Sequence, residues 1–331
     1  MAALAGLATA FAPGNALAHV KWFAPYDVPG QPKPLSQLFD VVFFEPLALA
    51  ALVFLITCYA ERGPVGAALS RTLEALSRRM RPRIDDLYRG GTAAFFVALA
   101  AMGGIILTPE LKTAAPLIPW FQAAIALGMF WRPTMVFSAL GIAALYAYGV
   151  ASYGIFHLLD YPIFLGLACY LGLSGLKTDF FGRRPLDVCR WAAAVTLIWA
   201  SVEKWAYPQW TYPLLQSHPA LAMGFYERYY LDAAGVVEFS LAFGLLWSPL
   251  VRRLSALVLT AMFVSAVVPF GMIDAVGHLM IVVILIGILV DDEPRTPRPP
   301  ATALAYYFAA LAMILIAYYG LHAALFGTVI W

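Results

Sequence analysis

Hydrophobic residues in this chain run in long apolar stretches separated by short polar joints. A bilayer core takes about 20 apolar residues per helix. On that length the sequence predicts ten membrane helices, near 38–60, 92–109, 116–132, 134–153, 158–176, 188–206, 231–249, 251–270, 273–290 and 302–326. Helix breakers stand at or near the joints, at Pro109, Pro116, Pro133, Pro162, Pro208, Pro249 and Pro294. The third stretch is the shortest, and it meets the fourth at Trp131-Arg132-Pro133-Thr134. After the first stretch the pattern changes. Leu69, Leu73, Leu76 and Met80 recur at helical spacing with Arg71, Arg78 and Arg79 around them. That predicts a helix lying on an anionic membrane surface, with docking to a partner as the alternative.

Composition agrees and excludes other classes. Of 331 residues, 62% are hydrophobic and 12% charged, and the mean hydropathy is +0.79. Soluble domains average about 45–50% apolar and about 25% charged, so too little polar surface exists here to coat a soluble globule. The same arithmetic excludes disorder. A net charge of +2 excludes nucleic-acid binding as a main role. The expected fold is all-α, a polytopic membrane helical bundle. Cys58, Cys169 and Cys189 form no C-x-x-C and read as small buried hydrophobes.

Counting Lys and Arg in alternate joints orients the chain. One side collects sixteen of the 21 cations, from Arg62 through Arg298, and the other only Lys21, Lys33, Lys112, Lys204 and Arg228. The first side reads as cytoplasmic, with both termini outside and the protein in the plasma (inner) membrane. Residues 1–36 form an outer arm. Its Ala16-Leu17-Ala18 resembles a signal-cleavage site, although a basic n-region is missing. Cleavage there would leave His19 as a terminal residue able to bind copper. Uncleaved, the arm places Trp22 as an interfacial anchor.

An internal repeat organises the rest. Gln122, Gly128, Trp131 and Pro133 are echoed by Glu238, Gly244, Trp247 and Pro249, each 116 positions on. Ser138-Ala139-Leu140 is then echoed by Ser255-Ala256-Leu257, and Asp160 by Asp274. Two parallel four-helix units follow, 91–177 and 188–290, flanked by a first helix at 37–60 and a last at 302–327, with a basic loop at 61–90. The first unit reads as apolar and structural, and the second as the carrier of the ionisable groups.

Charged side chains within membrane segments are costly and default to functional candidates. On the outer half stand Asp40, Glu45, Asp160, Glu203, Lys204, Asp232, Glu238, Asp274 and His278, and all five histidines map there too. The candidate site comprises Glu238, Lys204 and His278 as reacting groups, with Glu203 and Asp274 beside them. An aromatic outer loop, from Trp205 to Tyr230, is the expected lid, with Trp205, Tyr207 and His218 as ligand contacts. Three readings fit. The first is an ion-pair network around Lys204 that holds the bundle together. The second is a proton or ligand site in which Glu238 and His278 serve a small molecule such as a quinone. The third is a metal site of Glu238, His278 and Asp274.

The segment 188–290 resembles the DoxX-like membrane protein family. The match is Arg190, Val202-Glu203-Lys204, Gly235-Val236-Val237-Glu238 with Gly244, and Arg252-Arg253. The resemblance implies a four-helix membrane bundle and a redox-linked role, as in thiosulfate oxidation coupled to quinone or in thiol and oxidative-stress complexes. By position, Lys204 and Glu238 carry over. This chain is longer and has no cysteine pair. The expected function is an accessory component of a quinone-linked or periplasmic redox process. The alternatives are a transporter or binder of a small molecule or metal ion, and a scaffold recruiting periplasmic protein partners.

Overall fold

The computed structural model describes residues 20–291 and 299–331. The signal-like segment, His19, Pro294, Arg295 and Arg298 lie outside the described residues. Among the described residues are thirteen α-helices and no named strand. They are α1 (Leu35–Leu38), α2 (Val41–Ala60), α3 (Pro64–Ser77), α4 (Ile84–Met102), α5 (Ile118–Leu127), α6 (Met135–Tyr153), α7 (Ile155–Leu158), α8 (Pro162–Leu176), α9 (Pro185–Ala206), α10 (Pro208–Ser217), α11 (Glu227–Gly244), α12 (Pro249–Val290) and α13 (Pro300–Phe326). Six of these begin on a proline, where its missing N–H costs nothing. Asp40 caps α2 by accepting from the Phe43 amide at 3.2 Å.

Four helical segments are long and apolar enough to cross a bilayer: 41–60, 132–153, 249–290 and 300–326. Large apolar side chains on them face outward, among them Phe137, Ile316 and Val268 at 73%, 71% and 67% exposure. A soluble monomer rarely shows so much; the pattern fits contact with lipid.

The longest of these is two arms rather than one rod. Gly271 takes φ 70°, ψ −146°, a region nearly closed to residues with a Cβ. The path reverses there, because Arg253 Nε reaches the Leu289 carbonyl at 2.8 Å and Phe263 meets the His278 ring at 4.7 Å. The joint expected between 251–270 and 273–290 is this turn.

Three expected spans need correcting. The apolar stretch 92–109 is not one helix: α4 stops at Met102, and Gly103 and Gly104 both have positive φ. Ile105, Ile106 and Leu107 continue as buried loop. Their backbone is satisfied locally, since the Gln122 amide donates to the Ile105 and Ile106 carbonyls at 2.7 and 2.9 Å. Irregular backbone at depth is tolerated only when paired in this way. The stretches 116–132 and 158–176 hold helices of 10 and 15 residues, short of a full crossing.

The core has two large apolar clusters. One gathers Tyr88, Phe95, Phe96, Leu171, Cys189 and Ile284, between α4, α8, α9 and the second arm of α12. The other gathers Phe43, Phe54, Trp205, Phe239, Tyr307 and Tyr318, so α2 and α13 pack together on α9 and α11. Cys58 and Cys189 are buried as expected, whereas Cys169 is exposed on α8.

Helix ends sort into two sets by contact. At the basic end, Arg253 donates to Ser77 Oγ at 2.6 Å, Arg184 pairs with Asp291 at 2.9 Å, and Arg89 donates to the Met129 carbonyl at 2.9 Å. Glu61 accepts there from the Leu250 amide at 2.7 Å. At the opposite, arginine-poor end, the 20–35 strap joins the tail of α9 and the C-terminus. Lys33 N donates to the Ala206 carbonyl at 2.8 Å, and Leu35 N to the Ile330 carbonyl at 2.9 Å.

Candidate functional site

The polar groups at the arginine-poor end form three clusters around one partly open cavity. Free space in it amounts to about 60 Å³. Asp160, Glu238, His278 and Trp22 line it, with Thr108, Thr196 and apolar neighbours. A water needs roughly 10–15 Å³ of such space, so a few waters fit.

Helix adjacency builds the first cluster. Lys204, in the last turn of α9, pairs with Glu238, midway along α11, at 2.5 Å. Glu238 is buried, while the Lys204 side chain keeps 16% exposure. The second cluster rests on helical spacing. Asp274 and His278 are one turn apart on the second arm of α12, with His278 Nδ1 3.1 Å from Asp274 Oδ2. Asp274 is fully buried, and neither of its oxygens has a well-formed hydrogen bond.

The third cluster is one that sequence reasoning did not assemble. Glu203 faces away from Lys204 and accepts from Lys21 of the strap at 2.5 Å. Lys21 also pairs with Asp160, in the turn after α7. Nearby, Tyr161 donates to Glu110, and His157 Nε2 lies 3.8 Å from Glu110 Oε1. Glu110, Asp160, Glu203 and His157 are all at least nine-tenths buried. Burial works against a charged lysine, but Asp160 and Glu203 outweigh it and hold the Lys21 pKa above its ordinary value. Burial, with Glu110 next, pushes the Tyr26 phenol up to about 12.

The strap, not the aromatic loop, closes the cavity. Trp22 lies against His278, ring centroids 4.7 Å apart, and covers Gly277 so closely that a methyl there would fall inside the indole. It is thus a wedge rather than an interfacial anchor. None of residues 207–230 lines the cavity. Instead Leu214, Leu221 and Tyr230 pack on Phe23 and Phe270, which holds the strap down.

The expected lid contacts therefore have other partners. Trp205 is buried, with Nε1 donating to the Asp232 carbonyl at 3.2 Å. Tyr207 bonds the strap carbonyl of Gly30 at 3.0 Å and His322 Nε2 at 2.6 Å, and stacks on Trp210. His218 sits beside Ser217 and Phe270, away from the cavity. Among the described residues no three His, Cys, Asp or Glu side chains gather to hold a metal, so Glu238, His278 and Asp274 do not form a ligand set.

No family model, curated protein or solved structure matches the chain. Fold and site alone set its class: an all-α protein with several apolar helices, four of them able to cross a membrane, and a buried polar junction at one end.

Proposed function

We propose that the chain is a ten-span inner-membrane protein of DoxX-like type, with both termini outside. Its role is to exchange protons at an outward-facing site for a quinone-linked or periplasmic redox process. Support for the span count comes from the helix ends, which sort by contact as ten alternating crossings require. Support for two related units comes from one repeated close approach. Ser138 Oγ occupies the space over Gly128 just as Ser255 Oγ does over Gly244. Support for the outward site is the positive-inside distribution of arginine.

The observation that carries the function is the convergence of Glu238, Asp160 and His278 on one cavity with room for water. His278 exchanges protons with that water. The Lys204–Glu238 pair fixes the local field and the packing of α9 on α11.

The test compares His278→Gln and Glu238→Gln with the parent chain in host membranes. Expected is loss of thiosulfate- or thiol-driven quinone reduction, with the chain still folded in detergent. Unchanged activity, with only a lowered melting temperature, would make these groups structural and end the proposal.

A further inference from the structure

The strap delivers one buried ammonium to a site that other parts of the chain have built. Lys21 is 4% exposed and lies in a three-residue 3-10 turn, Val20–Trp22, at the start of the strap. Its partners come from distant segments, Asp160 from the turn after α7 and Glu203 from the last turn of α9. Its Nζ also stands 5.4 Å from the centroid of the Trp210 ring and 5.7 Å from that of Tyr26, within cation–π range. Trp210 is held in place by stacking on Tyr207 at 4.0 Å, interplanar angle 2°. Asp160 is 1% exposed, and its Oδ1 has no hydrogen-bond partner while it lines the cavity.

We propose that Asp160, Glu203 and the Trp210 face form a binding site for a primary ammonium group, with Lys21 as its tethered occupant. Two carboxylates take two of the three N–H donors of an R–NH₃⁺ group, and the ring face takes the remaining positive charge. A quaternary ammonium has no N–H to give. A metal ion would find two carboxylates and, among the described residues, no third His, Cys, Asp or Glu gathered with them. With Lys21 withdrawn, two buried carboxylates face each other without their cation, and a cation of the same shape competes with a shared proton to refill the vacancy. The strap is thus an internal competitor. A free primary amine, or the amine end of a polyamine, gains the site when residues 20–24 lift.

This inference does not rest on proton exchange at His278. It concerns occupancy, and Glu238→Gln leaves Asp160, Glu203 and Trp210 in place.

The test uses the full chain carrying Lys21→Ala, which removes the ammonium and its stem. Thermal melting in detergent is followed as n-butylammonium is added, with tetramethylammonium and potassium chloride at matched ionic strength. Expected is a lowered melting temperature, most of which butylammonium restores with saturation while the two controls do not. Adding Glu203→Gln to Lys21→Ala removes the restoration. No restoration, or equal restoration by either control, overturns the site. Should Lys21→Ala yield no folded protein, the readout becomes recovery of monodisperse chain when butylammonium is present throughout purification. Recovery with butylammonium but not tetramethylammonium supports the site; recovery with neither, or with both, overturns it.

Discussion

Gly277→Ala sets two effects of opposite sign against each other. Gly277 lies in the regular part of the second α12 arm, where alanine is the better helix former by about 1 kcal/mol. Its missing Cβ is also the reason Trp22 fits, because three atoms of the six-membered indole ring occupy the space that a methyl would take. Overpacking of that kind costs about 1–3 kcal/mol. The alternative is for the ring to leave. Trp22 is only half-buried, so expelling it forfeits roughly 100 Å² of contact, about 2.5 kcal/mol at about 25 cal/mol per Å². Releasing Lys21 from its two carboxylates costs more, about 3–5 kcal/mol. The ring therefore yields before the lysine does, and the strap opens locally.

Hydrogen exchange reads this directly. Expected is faster exchange at residues 22–24, with residues 28–35 still protected. The latter are held independently by Tyr207, His322 and the Lys33–Ala206 and Leu35–Ile330 hydrogen bonds. The net change in stability is a loss of up to about 2 kcal/mol, the overpacking cost less the helix gain. On a Trp22→Ala background the clash is gone, and Gly277→Ala stabilises by up to about 1 kcal/mol. If Gly277→Ala stabilises both backgrounds and leaves exchange at 22–24 unchanged, the wedge does not exist.

Lys204→Met strands Glu238 beside the cavity and lowers stability towards the lower end of about 3–5 kcal/mol, since Lys204 keeps some exposure. Adding Glu238→Gln recovers much of that loss in a detergent melt. Gly271→Ala forces a Cβ into a backbone region it disfavours, costing about 1–3 kcal/mol and measurable as a lower melting temperature. Arg81 donates both ends of its guanidinium to Glu74, and this pairing holds the Glu74 pKa below its usual value. A depressed carboxylate pKa stabilises at pH above the unfolded value and loses that contribution as pH falls through the folded one. Acidification, or Glu74→Gln at neutral pH, is therefore expected to loosen α3. For Glu74→Gln, faster tryptic cleavage at Arg71 and Arg78 than in the parent chain is the check; equal rates would refute it.

Elements that were legible in the sequence are those written in local pattern. Apolar length located the helices, and the turn at Gly271 fell in a short gap between two apolar runs. The Gly128 and Gly244 spacing pointed to two contacts that share one geometry. Asp274 with His278, and Lys204 with Glu238, were readable because helical spacing or successive helices put them together. The rest failed for a physical reason. Glu110 follows Ile105, Ile106 and Leu107, whose hydrophobicity is used by a buried loop rather than a helix, so the run concealed a turn and its carboxylate. Lys21 sits in an arm without periodicity, 139 residues from Asp160 and 182 from Glu203. Periodicity says which face a residue occupies; it carries no record of a partner that far along the chain.

That distance is bridged by packing of the helices. Asp160 and Glu203 stand together because α8 packs on α9, and Lys21 is the cation the two carboxylates share. Trp22 follows Lys21 by one residue and covers Gly277 on the second α12 arm. The strap thus meets the turn after α7, the end of α9 and the second α12 arm at one point. A lesion in any of these three should appear as exposure of residues 20–24 before the helices themselves loosen.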